Sequence, residues 1–292
     1  GRLRLLLPLT ASLAAADTGP KQSCFDWQAD NYAINQPLGG LIGVLLPALL
    51  LGGVLPAGAQ QPISGYDYLT PEMQAMQDDA FGNPGMMAVE AGAELFQTTT
   101  ANGNSCASCH GGRGARPEVQ RIARYPVYST ALKQPVTLRA QVIACRNRRL
   151  GGPPLDYTSE AALQLETFVR HLAQGETVDV DVSGALAPYY AAGEKPFRTR
   201  YGQVDVACHQ CHDYHAGRQF RGQVLTQGQS NGFPAYRYTE GHMVGLQERF
   251  TECLSKLRAQ PCAPGAEEYI ALEVFMNARS KGLQIETPAI RY

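Results

Sequence analysis

The sequence predicts a mainly α-helical protein made of two tandem, related domains. Three observations point there. The pentapeptide Cys106-Ala107-Ser108-Cys109-His110 returns as Cys208-His209-Gln210-Cys211-His212. Further landmarks recur at a nearly constant offset: Cys106 and Cys208 are 102 positions apart, Cys145 and Cys253 are 108 apart, and so are Pro153 and Pro261. Leu165-Glu166-x-Phe168 and Leu272-Glu273-x-Phe275 are 107 apart, as are Gly175 and Gly282, so one unit appears twice. Finally, Met86–Phe96, Ser159–Ala173 and Glu267–Lys281 carry apolar residues at helical spacing. A chain of 292 residues accommodates two domains of the usual size, and its net charge of -1 carries no electrostatic footprint for nucleic acid.

Cys-x-x-Cys-His is the attachment signature of c-type haem. Its two thiols add to the haem vinyl groups, and the adjacent histidine is the proximal iron ligand. A zinc site or a redox dithiol needs no histidine directly after the second cysteine. The sequence therefore predicts two haem c groups, held through Cys106 and Cys109 and through Cys208 and Cys211, with His110 and His212 on the irons.

In chain order, residues 1–59 read as a leader. Leu41–Leu55 has the length of a signal h-region, and Ala57-Gly58-Ala59 is a cleavage site before Gln60. An earlier signal-like stretch follows Arg2-Leu3-Arg4, so residues 1–40 also read as a mis-called start or upstream sequence. Export to the periplasm is expected, with loss of Cys24. Residues 60–185 form the first haem domain and 186–292 the second, with the boundary near Gly184–Pro188. Thr70-Pro71-Glu72 opens a helix, with a cap, a proline in the first turn and an acid behind it. Gly82–Gly85 is a turn, Met86–Phe96 a helix ahead of the first motif, and Arg113–Arg149 a basic loop. That loop suits either haem propionates or an acidic partner. Ser159 caps the helix that ends at Gly175, Asp179–Ser183 reads as linker, and Glu267–Lys281 is the last helix.

The distal iron ligands separate carrier from catalyst. No methionine lies between Met87 and Met243, so the first domain is left with Cys145, His171, or upstream Met86 or Met87. Arg146, Arg148 and Arg149 would favour a Cys145 thiolate. The second domain offers Cys253, Met243, His242 and His215, and the repeat favours Cys253 because it matches Cys145. A thiolate ligand lowers the reduction potential, against a plain high-potential shuttle. Cys262 has no partner in its half of the repeat.

Several longer segments resemble the SoxA family, the larger subunits of SoxAX cytochromes of bacterial thiosulfate oxidation. They are Ser230-Asn231-Gly232-Phe233-Pro234-Ala235-Tyr236-Arg237, Arg249-Phe250-x-x-Cys253, Leu257-Arg258-Ala259, Glu268–Glu273 and Gly282-Leu283-x-x-Glu286-Thr287-Pro288-Ala289. In the first half they are Asn83-Pro84-Gly85-Met86, Ser105–Gly111 and Tyr125-Pro126-Val127-Tyr128. The resemblance implies a dihaem L-cysteine S-thiosulfotransferase subunit that conjugates thiosulfate to a cysteine of a SoxYZ-like carrier. Cys145 would be the distal ligand of the first haem. Cys253 would be that of the catalytic haem, carrying a persulfide sulfur, with Arg258 as its active-site arginine. It also implies a small SoxX-like cytochrome as partner and a soluble cytochrome c as electron acceptor. Thr239 and Cys262 depart from the pattern, where an aromatic and a bulky apolar residue are expected. A dihaem electron carrier and a tetrathionate-forming thiosulfate dehydrogenase are the alternatives.

Overall fold

The computed structural model describes Cys24 and residues 61–112 and 119–292. The expected leader and cleavage site, apart from Cys24, lie outside the described residues, as do Arg113 and Arg116. The elements in order are α1 (Pro71–Asp78), α2 (Met86–Gln97), α3 (Cys106–His110), α4 (Val119–Ile122), β1 (Val127–Ser129), β2 (Gln134–Val136), α5 (Leu138–Arg149), α6 (Glu160–His171), α7 (Ala187–Arg198), a π-helical turn (Gln210–Tyr214), β3 (Gln219–Phe220), β4 (Gln223–Val224), β5 (Ala235–Arg237), β6 (His242–Val244), α8 (Leu246–Lys256), α9 (Glu267–Arg279) and β7 (Ala289–Arg291). Among the described residues, no helix is long and apolar enough to cross a membrane.

The repeat is a packing unit. In each copy a helix ahead of the haem motif crosses the helix that ends the domain, α2 on α6 and α7 on α9. Glycine sits at both crossings. A Cβ on Gly92 would overlap the Gln164 carbonyl, and one on Gly193 would overlap that of Ala271. One turn on, Phe96 packs on Phe168 and Phe197 on Phe275, each with ring centroids 5.2 Å apart. The glycine lets the backbones close, and the aromatic pair fills the angle between them.

A second pair of matching pieces follows each motif. Tyr125-Pro126 and Phe233-Pro234, both cis, lead into the hairpins β1–β2 and β5–β6, registered Val127 with Val136 and Ala235 with Val244. Each hairpin feeds a helix, α5 or α8, that returns over the haem motif. Thr137 caps α5 by accepting from the Ala140 amide, while Gly245 opens α8 with no side-chain cap. The two helices occupy what the sequence suggested was a basic loop and the unassigned stretch before Cys253. In α5 the arginines dilute the apolar period, so helical structure there follows from tertiary packing, whereas α8 carries an apolar stripe of Leu246, Phe250 and Leu254 that Leu257 continues.

The expected caps are present: Thr70 accepts from the Met73 amide and Ser159 from that of Ala162. The stretch 179–183 forms no strand. The linker instead pairs with the end of the chain, since the Val178 amide donates to Leu283 and that of Gly282 to Val178, both at 2.9 Å. Val178, Val180 and Ile285 thereby join the core with Ile122, Tyr125 and Leu138. The N-terminal arm also lies on the second domain. The Ile290 amide donates to Gln77 Oε1 at 2.9 Å, and Asn83 Nδ2 donates to the Pro288 carbonyl at 2.9 Å.

Two expectations about cysteines need correcting, since Cys24, expected to be lost with the leader, is held in the fold by Cys262. Cys262 is neither unpartnered nor free: it is buried and forms a disulfide with Cys24, packed among Tyr201, Leu254 and Tyr269. The Cys24 amide donates to Glu268 Oε1 at 3.2 Å, and this disulfide sits at the position where a bulky apolar residue was expected.

Candidate functional site

The first motif forms α3, a single turn held by a reciprocal cap. Ser105 Oγ accepts from the Ser108 amide at 3.2 Å, and Ser108 Oγ accepts from that of Ser105 at 3.1 Å. This fixes the spacing of Cys106, Cys109 and His110, and the His110 ring lies 6.1 Å from that of Phe96. Cys145 reaches the same place from α5, close enough for its charge to interact with those of Cys106 and Cys109. The arginine-rich surroundings do not make it acidic: burial pushes the Cys145 thiol up, Cys109 adds to this, and Arg149 opposes it.

The second motif runs into the π-helical turn, which holds Cys211 and His212. Burial pushes the Cys208 thiol up to about 12, with Cys253 adding to the effect, and Cys211 is raised for the same two reasons. Cys253, on α8, therefore faces both attachment cysteines. The His212 Nδ1 lies 2.8 Å from the Thr226 carbonyl, which can only accept, so Nδ1 carries the proton and Nε2 keeps a free lone pair. Burial lowers the His212 pKa, keeping the ring neutral. The loop beneath it tolerates only glycine: a Cβ on Gly228 (φ +71) would stand 3.0 Å from the ring.

These observations test the fit to haem c. Each domain offers two thiols at attachment spacing, an adjacent imidazole and a third sulfur from the returning helix. In the second domain the imidazole is held in the tautomer an iron ligand needs. The other distal candidates are turned elsewhere. The His171 Nδ1 lies 3.0 Å from the Thr287 carbonyl, Met86 packs in the α2–α6 core and Met87 is exposed. Met243 lies within β6 opposite Tyr236, His242 is an exposed residue of the same strand, and His215 is exposed after the turn.

The charges around Cys253 differ from the order of the sequence. The guanidiniums whose charges reach its sulfur are Arg237, on β5 with 4% of its side chain exposed, and Arg249, one helical turn before it on α8. Arg249 donates to Glu252 at 2.9 Å. The Arg237 Nε forms an ion pair with Glu240 at 3.4 Å but has no hydrogen-bond partner, and burial together with Arg249 pushes its pKa down to about 10. Lys256 pairs with Glu240 at the exposed end of α8. Arg258 lies past the helix end with φ 56, exposed, its Nη1 donating to Gln203 at 3.2 Å. Thr239 is exposed and donates to Glu240, away from the buried sulfur.

A family model described as the SoxA/TsdA cytochrome c domain matches residues 91–178 and 192–285. The chain belongs to this family. Among its relatives, the L-cysteine S-thiosulfotransferase subunit SoxA of Pseudaminobacter salicylatoxidans is 37% identical over 232 residues, 78% of this chain and 80% of that protein. The subunit of the same name from Paracoccus pantotrophus is 31% identical, covering 78% of this chain and 79% of its own. The crystal structure of SoxXA from P. pantotrophus superposes with a TM-score of 0.75 at 31% identity, covering 79% of this chain and 87% of that one. As a member of the family, the chain is a haem c protein, and the family model matches it in two segments.

Proposed function

We propose that this chain is a dihaem L-cysteine S-thiosulfotransferase subunit that joins thiosulfate oxidatively to a carrier cysteine at Cys253. The observation that carries the reading is the placement of a third sulfur, Cys253, by Cys208 and Cys211, flanked by the buried Arg237 and the half-buried Arg249. The relatives' shared activity supports it.

Cys106, Cys109 and His110 would hold one haem and Cys208, Cys211 and His212 the other, with Cys145 and Cys253 as distal ligands. Bound haem supplies a one-electron acceptor. The protein does the rest. Thiosulfate is a dianion, and Arg249 with Arg237 offers fixed positive charge beside the sulfur, where paired guanidinium donors match oxyanion geometry. Lys256 and Arg258 stand at the exposed end of α8, where they draw the dianion in. The Cys253 thiolate and the outer sulfur of thiosulfate form a sulfur–sulfur bond, losing two electrons that leave to a cytochrome partner. A carrier thiolate, as on a SoxYZ-like protein, then attacks the thiosulfate-derived sulfur. The bond to Cys253 breaks, the carrier keeps the thiosulfonate, and Cys253 returns as a thiolate, which is nucleophilic covalent catalysis with a sulfur leaving group. A persulfide on Cys253 would extend the same chemistry by one sulfur.

The likeness to SoxXA supports a small SoxX-like cytochrome as partner. A soluble cytochrome c would take the two electrons that the sulfur–sulfur bond formation releases. Haem attachment at Cys-x-x-Cys-His fits a periplasmic location. The mass of the Cys253 peptide, from holoprotein purified without reductant, tests the reading. Extra sulfur or a thiosulfate-derived group, released by reductant, is expected. A bare thiol under all conditions, thiosulfate included, would leave Cys253 an iron ligand in an electron carrier.

A further inference from the structure

The two domains meet on a buried ion cluster that the sulfur chemistry does not use. Arg139 lies on α5, six residues before Cys145, with 3% of its side chain exposed. Its Nε donates to Glu166 Oε2 on α6 at 2.7 Å, and its Nη1 to the Tyr157 carbonyl at 3.2 Å. The same Nη1 also donates across the domain boundary to Glu248 on α8, five residues before Cys253. Burial opposes the charge on Arg139, but Glu166 and Glu248 together outweigh it and push the guanidinium pKa up. One cation thus ties together the two helices that bring sulfur over the haem motifs.

The repeat shows that this bridge is an added feature. Position 139 corresponds to Gln247 and Glu166 to Glu273, and in the second domain Gln247 Nε2 donates to Glu273 Oε2 at 2.8 Å. Each domain therefore keeps one donor–carboxylate pair, but only Arg139 takes a second carboxylate from the other domain. Room is made for it: Gly245 stands where the first domain has Thr137, and a Cβ there would overlap both the Arg139 guanidinium and Glu248. A buried ion pair adds little net stability over apolar packing, whereas losing one partner strands a charge. Its best-attested use is to fix register.

We propose that Arg139 is a positioning residue that holds α5 and α8, and with them Cys145 and Cys253, in a single relative arrangement. This rests on reading those cysteines as the distal ligands of two haems. The test is pulsed electron paramagnetic resonance on the full holoprotein, giving the inter-iron distance distribution alongside the signature of each low-spin centre. Wild type is expected to show one narrow distance. Arg139→Met and Glu248→Gln should broaden or shift it at unchanged haem content and unchanged signatures. Arg139→Lys, which keeps a cation between the carboxylates, should give a narrower distribution than Arg139→Met. A wild-type distribution in Glu248→Gln would overturn the proposal. So would loss of haem from that mild variant, which would make the contact a condition of folding. Retention of thiolate signatures in Cys145→Ala and Cys253→Ala proteins would fail the ligand reading instead, by a separate measurement.

Discussion

The two domains share a scaffold and differ at the positions around the third sulfur. Both cross a glycine-bearing helix over the terminal helix, enter a hairpin through a cis proline and return on a helix carrying a cysteine. At 108 positions' distance, Arg249 and Arg237 of the second domain face Gln141 and Ser129 in the first. The offset grows from 102 at the haem motifs to 108 at the hairpins, and the six extra residues fall in the stretch that holds β3 and β4. Buried cations beside a sulfur cost desolvation and add no packing advantage over neutral residues, so they mark a place where charge is used. The same scaffold thus sets Arg237 and Arg249 beside the sulfur in one copy, whereas the other has neutral residues at the matching positions and Arg149 acts on Cys145 instead.

The largest expected difference separates the two cysteines. Cys253→Ala should lower carrier-dependent turnover by at least about a thousandfold, as removal of a covalent nucleophile does. Cys145→Ala should alter the spectrum and potential of the first haem and keep measurable transfer. Steady-state transfer to carrier, beside the optical spectrum of each variant, checks this, and equal losses would erase the functional asymmetry.

The scaffold itself should respond symmetrically. Gly92→Ala and Gly193→Ala each force a methyl into a facing backbone carbonyl, and each should destabilise its domain by roughly 3 kcal/mol. Denaturant unfolding followed by circular dichroism reads this. A cost at only one crossing would show that the copies no longer pack alike.

This crossing was open to sequence reading and missed. Gly92-x-x-x-Phe96 and Gly193-x-x-x-Phe197 recur at an offset of 101, but Pro188 and Pro196 hide the helical period of α7. The capped helices α1 and α6 were legible because cap and apolar spacing agree, and α9, which has no side-chain cap, was legible from its apolar content. The motifs and the matching cysteines were legible because covalent and metal chemistry restricts residue type and spacing. Arg258 is singled out by the resemblance, and the structure places it past the helix end with φ 56, its side chain donating to Gln203. Arg237, sixteen residues away at the end of a segment that carries the resemblance, is brought towards Cys253 by the placement of β5. The bond between Cys24 and Cys262 spans 238 positions and has no local signal at all.

A third difference concerns the paired carboxylates. Glu166 faces the fixed charge of Arg139, while its counterpart Glu273 faces the neutral amide of Gln247. Burial first, then Glu166, pushes the Glu273 pKa up to about 8, so it is a neutral acid at pH 7. Because the folded state holds this proton more tightly than the unfolded chain, its contribution is fully present below about 4.5 and is lost as pH rises to about 8. Glu273→Gln should therefore be near neutral in stability at pH 5 and stabilising at pH 9, by on the order of a few kcal/mol at most. Unfolding midpoints across that range would show the slope disappear. Burial raises the Glu166 pKa as well, but there Arg139 opposes it, so the contrast lies in the opposing cation. A parallel pH profile in both proteins would place an ionised carboxylate at Glu273.

The smallest effect bears most directly on the comparison. Arg249→Gln gives the second domain the residue that the first has at the matching position, Gln141. If Arg249 binds the dianion, KM for thiosulfate should rise roughly tenfold to a hundredfold, the worth of one charge-assisted hydrogen bond, with haem content and the Cys253-ligated spectrum unchanged. Raising ionic strength should weaken wild-type binding more than that of the variant, since part of the attraction is screened. Arg149→Gln in the first domain serves as the control, because Arg149 acts on Cys145 and should leave KM unmoved. A fall in kcat at constant KM would instead place the charge of Arg249 on the sulfur during bond formation. The cationic site would then stabilise reacting sulfur rather than recognise substrate, and recognition would pass to Lys256 and Arg258 at the mouth of α8.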